Sequence, residues 1–312
     1  MVDSNPAKYL YELQDMIKNH DYHTSKYEVF EKAENNNKVR RIYKLPYYPD
    51  RICQWALIQV IEPYLMRTMT TDTYSAIPGR GTYAAYKKVR KALKKDPKGT
   101  QWCLKIDIRK YYPNINKSKL KAKYAHMFKD RELLDLLYEI IDSHEEGVPI
   151  GNYTSQYSGN IFLSDFDHRV KEVYKVKHYF RYMDAMVFFD STKEELQKLV
   201  AEIKSYLRDE MDLEVKDGWS LFFVEDRGVD FVGYVFRHNN TRLRKTIVRT
   251  LKRISLNILK RVSKGKLINY HLYCGVNSMI GWLRHADAGG LYKKYVSTVM
   301  QYVDEYYRNV IQ

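Results

Sequence analysis

Twelve residues constrain this chain most: His178-Tyr-Phe-Arg-Tyr-Met-Asp-Ala-Met-Val-Phe-Phe189. Two apolar, β-prone runs flank a short polar centre, Met183-Asp184-Ala185, the pattern of a tight β-hairpin with an acidic tip. A carboxylate at such a turn is either an ordinary turn aspartate or a perch for a metal ion. A second acid decides between the two. Gln101-Trp-Cys-Leu-Lys-Ile-Asp-Ile108 reads as a buried strand with Asp107 near its end. Burying that carboxylate is costly unless it is paired or bound to a cation. A strand acid and a hairpin-tip acid can share divalent ions.

The balance of 53 Lys and Arg against 38 Asp and Glu leaves a net charge of +15, which points to a polyanionic partner, nucleic acid first. The 29 tyrosines offer flat faces for bases and hydroxyls for phosphates, although many must be core. No apolar stretch is long enough to span a membrane, and the first residues lack a signal core. Cys53, Cys103 and Cys274 have neither disulfide nor zinc spacing, so a reducing cytoplasm is expected.

Along the chain, residues 1 to about 36 read as helix followed by irregular chain. Glu34-Asn-Asn-Asn37 reads as a turn, and Lys38 to Leu45 as a basic strand. A basic hairpin there can lie over a triphosphate or be a charge-protected edge. Asp50 to Met69 is an expected helix capped by Asp50 and kinked at Pro63. Arg80 is expected to project from the turn Ile77-Pro-Gly-Arg-Gly81. Tyr83 to Lys95 is an amphipathic basic helix. Residues 117 to 143 are mostly helical, Gly147 to Gly151 is a hinge-like turn, and a long helix follows from Asn152 to about Tyr174. Ser155, Gln156, Ser158, Gly159 and Asn160 near its start allow a close approach, by a base pair or by the chain's own sheet. Trp219–Val224 and Val229–Phe236 are expected to pair with each other. Residues 241 to 270 carry ten Lys and Arg and no acid. A segment with that charge self-repels unless a polyanion lies beside it. The order of strand, helices, hairpin, helix and hairpin predicts an α+β fold with a split βαβ-type sheet.

These motifs stand in the order found in reverse transcriptases. Ile106-Asp107-Ile108 with Tyr111-Tyr112 resembles the first catalytic motif. Ile150-Gly-Asn-Tyr-Thr-Ser-Gln156 resembles the template- and nucleotide-contacting motif, and Tyr182-Met-Asp-Ala185 the Tyr-x-Asp-Asp box. Phe231-Val-Gly-Tyr234 resembles the primer-grip hairpin. Lys38 to Lys44 and Ile77 to Gly81 resemble the fingers motifs. Ile150, Gly151, Ser155 and Gln156 are most similar to the diversity-generating retroelement type, as is Ile280-Gly-Trp-Leu-Arg-His285.

The resemblance implies a right-hand polymerase, with an N-terminal extension and fingers in 1–100, a palm in 101–238 (fingers segment about 113–150 interleaved) and a helical thumb in 239–312. It implies RNA-directed DNA synthesis with two Mg²⁺ ions and dNTP substrates. Asp107, Asp184 and the carbonyl of Ile108 would hold the ions. Arg40, Arg41 and Lys44 would meet the triphosphate, with Tyr111, Tyr112, Ile150, Gly151 and Gln156 around the nucleotide. Tyr112 matches the ring that excludes the ribose 2′-hydroxyl. Arg80, Ser155, Gly233, Arg249, Lys252 and Arg253 would contact nucleic acid. Expected partners are a template RNA, the RNA–DNA duplex and a small homopentameric accessory protein, in mutagenic retrohoming. Ala185 stands where the box has its second acid, so activity should be abolished or strongly reduced. The intact surroundings favour an engineered replacement over natural loss. The alternatives are a retron or phage-defence reverse transcriptase and a non-catalytic RNA-binding relative.

Overall fold

The computed structural model describes residues 2–33 and 39–311, without the side chains of Asp3, Arg40 and Ile311. The expected turn Glu34–Asn37 and Lys38 lie outside the described residues. Helices and strands are mixed, as expected for an α+β chain. The described residues form two compact units. One comprises Met1–Gly81, Leu104–Phe189 and Lys193–Leu221, and the other Thr82–Cys103, Asp190–Thr192 and Phe222–Gln312.

The first unit opens with α1 (Pro6–Lys18) and the antiparallel pair β1 (Glu28–Ala33) and β2 (Val39–Lys44). The segment expected to be irregular therefore contains a strand. All six β1 residues are exposed, so no buried alternation marked it in the sequence. The helix α2 (Ile52–Thr68) starts after Asp50, and Pro63 lies inside it without ending it. Asp50 is not its cap. The buried carboxylate instead accepts from the Tyr22 hydroxyl and the Ser25 N–H, each at 3.0 Å.

A four-stranded sheet has the order β4-β5-β3-β6, from β3 (Trp102–Asp107), β4 (His178–Tyr182), β5 (Ala185–Asp190) and β6 (Ser220–Phe223). β3 and β6 run on into the second unit. The sheet is accompanied by α4 (Lys117–Met127), α5 (Arg131–Asp142), α6 (Tyr153–Phe162), α7 (Ser164–Glu172) and α8 (Lys193–Met211). The expected long helix after Asn152 is thus two helices that meet at Leu163. On α8 the stripe Leu196, Leu199, Val200, Ile203 and Leu207 is buried, as the 3.6-residue period requires.

The second unit contains α3 (Thr82–Lys95), whose apolar side Ala85, Val89, Ala92 and Leu93 is buried. It also holds the one-turn α9 (Val224–Arg227) and a three-stranded sheet of β7 (Val229–Phe231), β8 (Tyr234–Phe236) and β9 (Thr241–Leu243). The expected pairing of Trp219–Val224 with Val229–Phe236 does not occur. β6 joins β3, and Val229–Phe236 folds on itself because Val232 and Gly233 both take positive φ, 42° and 90°. Then come α10 (Lys245–Val262), α11 (Tyr270–Leu283), α12 (Gly289–Leu291) and α13 (Met300–Tyr306). Cys53, Cys103 and Cys274 are free thiols.

Candidate active site

The hairpin tip is a two-residue turn. β4 and β5 pair up to Tyr182 and Ala185, which leaves Met183 and Asp184 between them. Met183 has a φ of 58°, a conformation that costs an L-residue about 1–2 kcal/mol. Its side chain is buried in return. It lies against the bare face of Gly159 on α6, where an added Cβ would stand 3.2 Å from the Met183 sulfur. The Asp184 carbonyl accepts the Ile108 N–H at 3.3 Å, and the Asp107 carbonyl accepts the Lys216 N–H at 2.8 Å. The end of β3 is therefore clamped, with Asp107 one residue from the contact to Asp184. Both acids are half-buried, and Ala185 begins β5 with a methyl group.

Among the described residues no group of three or more His, Cys, Asp and Glu could hold a metal ion. Two carboxylates with nearby carbonyls still fit Mg²⁺, which takes one or two carboxylates plus substrate phosphates and water. Position 185 carries a methyl group and supplies no carboxylate.

Tyr111 is buried, and its hydroxyl donates to the Gly159 carbonyl at 2.5 Å. Burial pushes its phenol well above the usual tyrosine range, so it stays a protonated donor. Tyr112 is half-buried beside it, with ring centroids 5.6 Å apart. Of the two rings, Tyr112 is the one open to an incoming group. Added to Gly159, a Cβ would also lie 3.4 Å from each ring. The small polar residues of α6 mostly face inward. Ser158 bonds to the Tyr124 hydroxyl at 3.0 Å, and the Asn160 amide donates to the Ser75 carbonyl at 2.8 Å. Ser155 is 1% exposed, which removes it from the surface expected to touch nucleic acid, while Gln156 is exposed. The helix packs on its own core, and that need explains its small side chains.

β2 reaches the turn before α6. The Tyr43 N–H donates to the Ile150 carbonyl at 2.9 Å. Gly151 has a φ of 136°, and a Cβ there would stand 2.0 Å from the Tyr43 carbonyl oxygen. This joins the basic strand to Ile150 and Gly151. Arg41 pairs with Glu31 at 3.6 Å and Lys44 with Glu28 at 3.1 Å, all exposed. Strand alternation puts Arg41 and Lys44 on opposite faces, so one side of β2 presents only one of them. Arg40 belongs to β2, with its side chain outside the description. Arg80 does not project. Its guanidinium turns back onto the carbonyls of Thr70 at 2.5 Å and Thr73 at 3.2 Å, satisfying its own loop.

In the second unit Gly233 is buried at the β7–β8 turn. A Cβ there would come within 2.5 Å of the Trp282 ring, so this glycine serves packing, with no open face for a nucleic acid. Arg249, Lys252 and Arg253 are exposed on α10, whose buried side holds Leu251, Ser255 and Ile258.

The sequence reading missed Arg181 and Asp167. Both side chains are fully buried, as an ion pair at 2.5 Å. Burial alone would lower the Arg181 pKa, but the Asp167 charge and hydrogen bonds outweigh it and hold it above the usual arginine value. The available signal was a lone arginine between Tyr179-Phe180 and Met183 in an otherwise apolar strand.

The chain matches Protein YkfC of Escherichia coli (strain K12) at 26% identity over 153 residues, 45% of this chain and 40% of that protein. Apo telomerase from Candida tropicalis is similar in structure, with a TM-score of 0.60 at 12% identity, covering 98% of this chain and 63% of the other. Telomerase from Candida albicans in complex with a TWJ fragment of telomeric RNA gives a TM-score of 0.56 at 13% identity, covering 87% and 55%. At these identities the likeness establishes the polymerase fold alone, and the chain spans less than two thirds of these relatives' length. The sequence profile "Reverse transcriptase (RNA-dependent DNA polymerase)" matches residues 30–236, about two thirds of the chain, which places this chain in the reverse transcriptase family.

Proposed function

We propose that this chain is the RNA-directed DNA polymerase of a diversity-generating retroelement, carried in a form weakened at Ala185. The observation that carries the polymerase reading is the clamp that sets Asp107 beside Asp184, with Tyr112 and the β2–Ile150 junction on the same unit. The retroelement type rests on Ile150, Gly151, Ser155 and Gln156. Residues 1–100 would act as extension and fingers, 101–238 as palm and 239–312 as thumb. The partners would be a template RNA, its RNA–DNA duplex and a homopentameric accessory protein, working in the cytoplasm. Among the described residues no helix is long and apolar enough to cross a membrane.

In the reaction a primer 3′-hydroxyl gives up its proton to water and its oxygen bonds to the α-phosphorus of a dNTP, while the bond to the bridging oxygen breaks and pyrophosphate leaves. Asp107 and Asp184, with the Ile108 carbonyl, would hold two Mg²⁺ ions, which supply positive charge to the attacking and leaving oxygens. β2 would offset triphosphate charge through the face it turns to the nucleotide, with Arg41 or Lys44 released from its acidic neighbour and with Arg40 in the same strand. Tyr112 would close the space a ribose 2′-hydroxyl needs. Arg249, Lys252 and Arg253 would hold the duplex backbone by charge, without reading sequence. Ala185 itself supports a second reading, a non-catalytic RNA-binding relative.

Primer extension separates them. Restoring the acid with Ala185→Asp should raise the rate by roughly 10²–10⁴, several kcal/mol of transition-state stabilisation, with nucleic-acid affinity unchanged. No gain would leave the non-catalytic reading. Ile150 offers shape but no amide near the nascent pair, and about 1.4 kcal/mol of lost discrimination is a tenfold error. The Ala185→Asp enzyme should therefore miscopy template adenines, and adding Ile150→Gln should lower that error. Sequenced cDNA with equal, low error in both variants would remove the retroelement assignment.

A further inference from the structure

Arg181 spends its five N–H groups on a set of acceptors that reaches the hairpin tip. Nε and Nη2 donate to the two Asp167 oxygens at 2.7 and 2.5 Å. Nη2 also meets the Asn160 carbonyl at 3.3 Å. Nη1 donates to the Asn160 side-chain oxygen at 3.2 Å and to the Met183 carbonyl at 3.0 Å. Asp167 is equally saturated, accepting also from the Tyr179 hydroxyl at 2.7 Å and the Thr73 hydroxyl at 2.9 Å. The backbone of Arg181 is fixed as well: its N–H donates to Asp72 at 2.9 Å, and its carbonyl accepts from Tyr74 at 3.0 Å.

A buried ion pair is a weak stabiliser, because desolvation consumes most of the Coulombic gain, and apolar residues of like volume often do as well. What an apolar pair cannot do is hold the Met183 carbonyl. Peptide groups are planar, so fixing that carbonyl fixes the plane that ends at the Asp184 Cα. The next plane is fixed by the Ile108 N–H on the Asp184 carbonyl at 3.3 Å. Both planes flanking Asp184 are thus pinned, which sets its φ and ψ and the direction of its Cβ.

We propose that Arg181, held by Asp167, is a positioning residue that aims the Asp184 carboxylate at the metal ions through the Met183 carbonyl. This rests on the polymerase reading of the site. Arg181 touches no substrate. Its effect is on how well Asp184 is presented, so it should show in metal affinity before anything else.

The test is Mn²⁺ binding to the full chain, followed by electron paramagnetic resonance, together with primer extension in the Ala185→Asp background. Asp107→Asn and Asp184→Asn should each abolish tight Mn²⁺ binding. If they do not, the reading of the site itself fails. Arg181→Lys can keep its charge against Asp167 but cannot also span to Met183. It should fold with a lowered melting temperature, since its three N–H groups leave buried acceptors unmatched, and bind RNA–DNA duplex equally. Its Mn²⁺ affinity should fall about tenfold, at the low end for groups that orient metal ligands. In extension, kcat should fall with the dNTP KM unchanged, and added Mg²⁺ should recover the rate. A folded Arg181→Lys with parental Mn²⁺ affinity, while Asp107→Asn and Asp184→Asn have lost theirs, would reduce Arg181 to a packing role and overturn the proposal. Should Arg181→Lys not fold, the double variant Arg181→Gln/Asp167→Asn removes both buried charges together. It is held to the same two outcomes.

Discussion

The Ile108 N–H donates to the Asp184 carbonyl at 3.3 Å, so a strand and a hairpin more than seventy residues apart in sequence meet at one acid and one residue from the other. The spacing between Asp107 and Asp184 is thereby set by backbone hydrogen bonding, and side-chain changes at the tip leave that frame in place. Variants of Asp184 and Ala185 can therefore be read as changes in chemistry.

Tyr111 and Tyr112 should separate cleanly. Tyr112→Ala should admit rNTPs, seen as a fall in the dNTP-to-rNTP incorporation ratio of the Ala185→Asp enzyme. Tyr111→Phe removes the buried hydrogen bond to the Gly159 carbonyl. It should cost about 1 kcal/mol of stability in a denaturant melt and leave the ratio unchanged. A ratio that follows Tyr111 instead would move the gate to that ring.

Gly151→Ala should damage the site through β2. The added carbon falls 2.0 Å from the Tyr43 carbonyl oxygen, so strand and turn must part. The expected result is a raised dNTP KM with a modest loss of melting temperature. Gly218 also has positive φ, 87°, but no atom within 4 Å of a Cβ. Gly218→Ala therefore reports backbone strain alone, and equal effects of the two variants would remove the steric argument.

The exposed cations of α10 should act as a sequence-independent grip. Replacing Arg249, Lys252 and Arg253 with Gln should weaken duplex binding on every sequence. It should also reduce the slope of log K against log salt by up to about 0.9 per lost phosphate contact on B-form duplex, and by a similar amount on the hybrid. An unaltered slope would assign these charges to another partner.

His168 gives a pH signature away from the site. Its Nδ1 lies 2.7 Å from Glu172, and its other nitrogen 3.1 Å from the Thr68 carbonyl. The hydrogen bond to Glu172 is the main cause that raises its pKa, with burial opposing. A raised folded value means that the protonated ring stabilises the fold below the ordinary histidine pKa. That contribution is lost as pH rises through the folded pKa. The melting-temperature gap between the parent and His168→Gln should be wider at about pH 5.5 than at about pH 9. A gap that is constant with pH would show that the ring acts by packing alone.

How much the sequence disclosed depended on whether a feature had a local cause. The tip hairpin, the Asp107 strand and the stripe of α8 follow from period and turn chemistry. β1 has no such signature, since Glu28–Ala33 exposes every residue and becomes a strand only through β2. Residue patterns read Val229–Phe236 as one strand because its turn places β-branched Val232 at positive φ, against preference; only the resemblance of Phe231-Val-Gly-Tyr234 to a hairpin marked the fold-back. Asp50 and Arg80 looked like a cap and a free cation because their partners lie outside the windows read around them: Tyr22 and Ser25 for the first, the Thr70 and Thr73 carbonyls for the second. The Arg181 centre needs Thr73, Asn160 and Asp167 together, and no window of sequence contains all of them.

Gly159 lies under Met183, Tyr111 and Tyr112 at once, within 3.2 to 3.4 Å of where a methyl group would sit. On the proposed function, metal presentation and sugar selection would therefore share one patch of helix. An altered ring at position 112 changes the space that Met183 can use, and the reverse holds. Substitutions at the two positions should be non-additive. A lineage that relaxes its choice of sugar would carry a matching change at the tip of the hairpin, and grafting either one alone into this chain would give a poorer enzyme than grafting both.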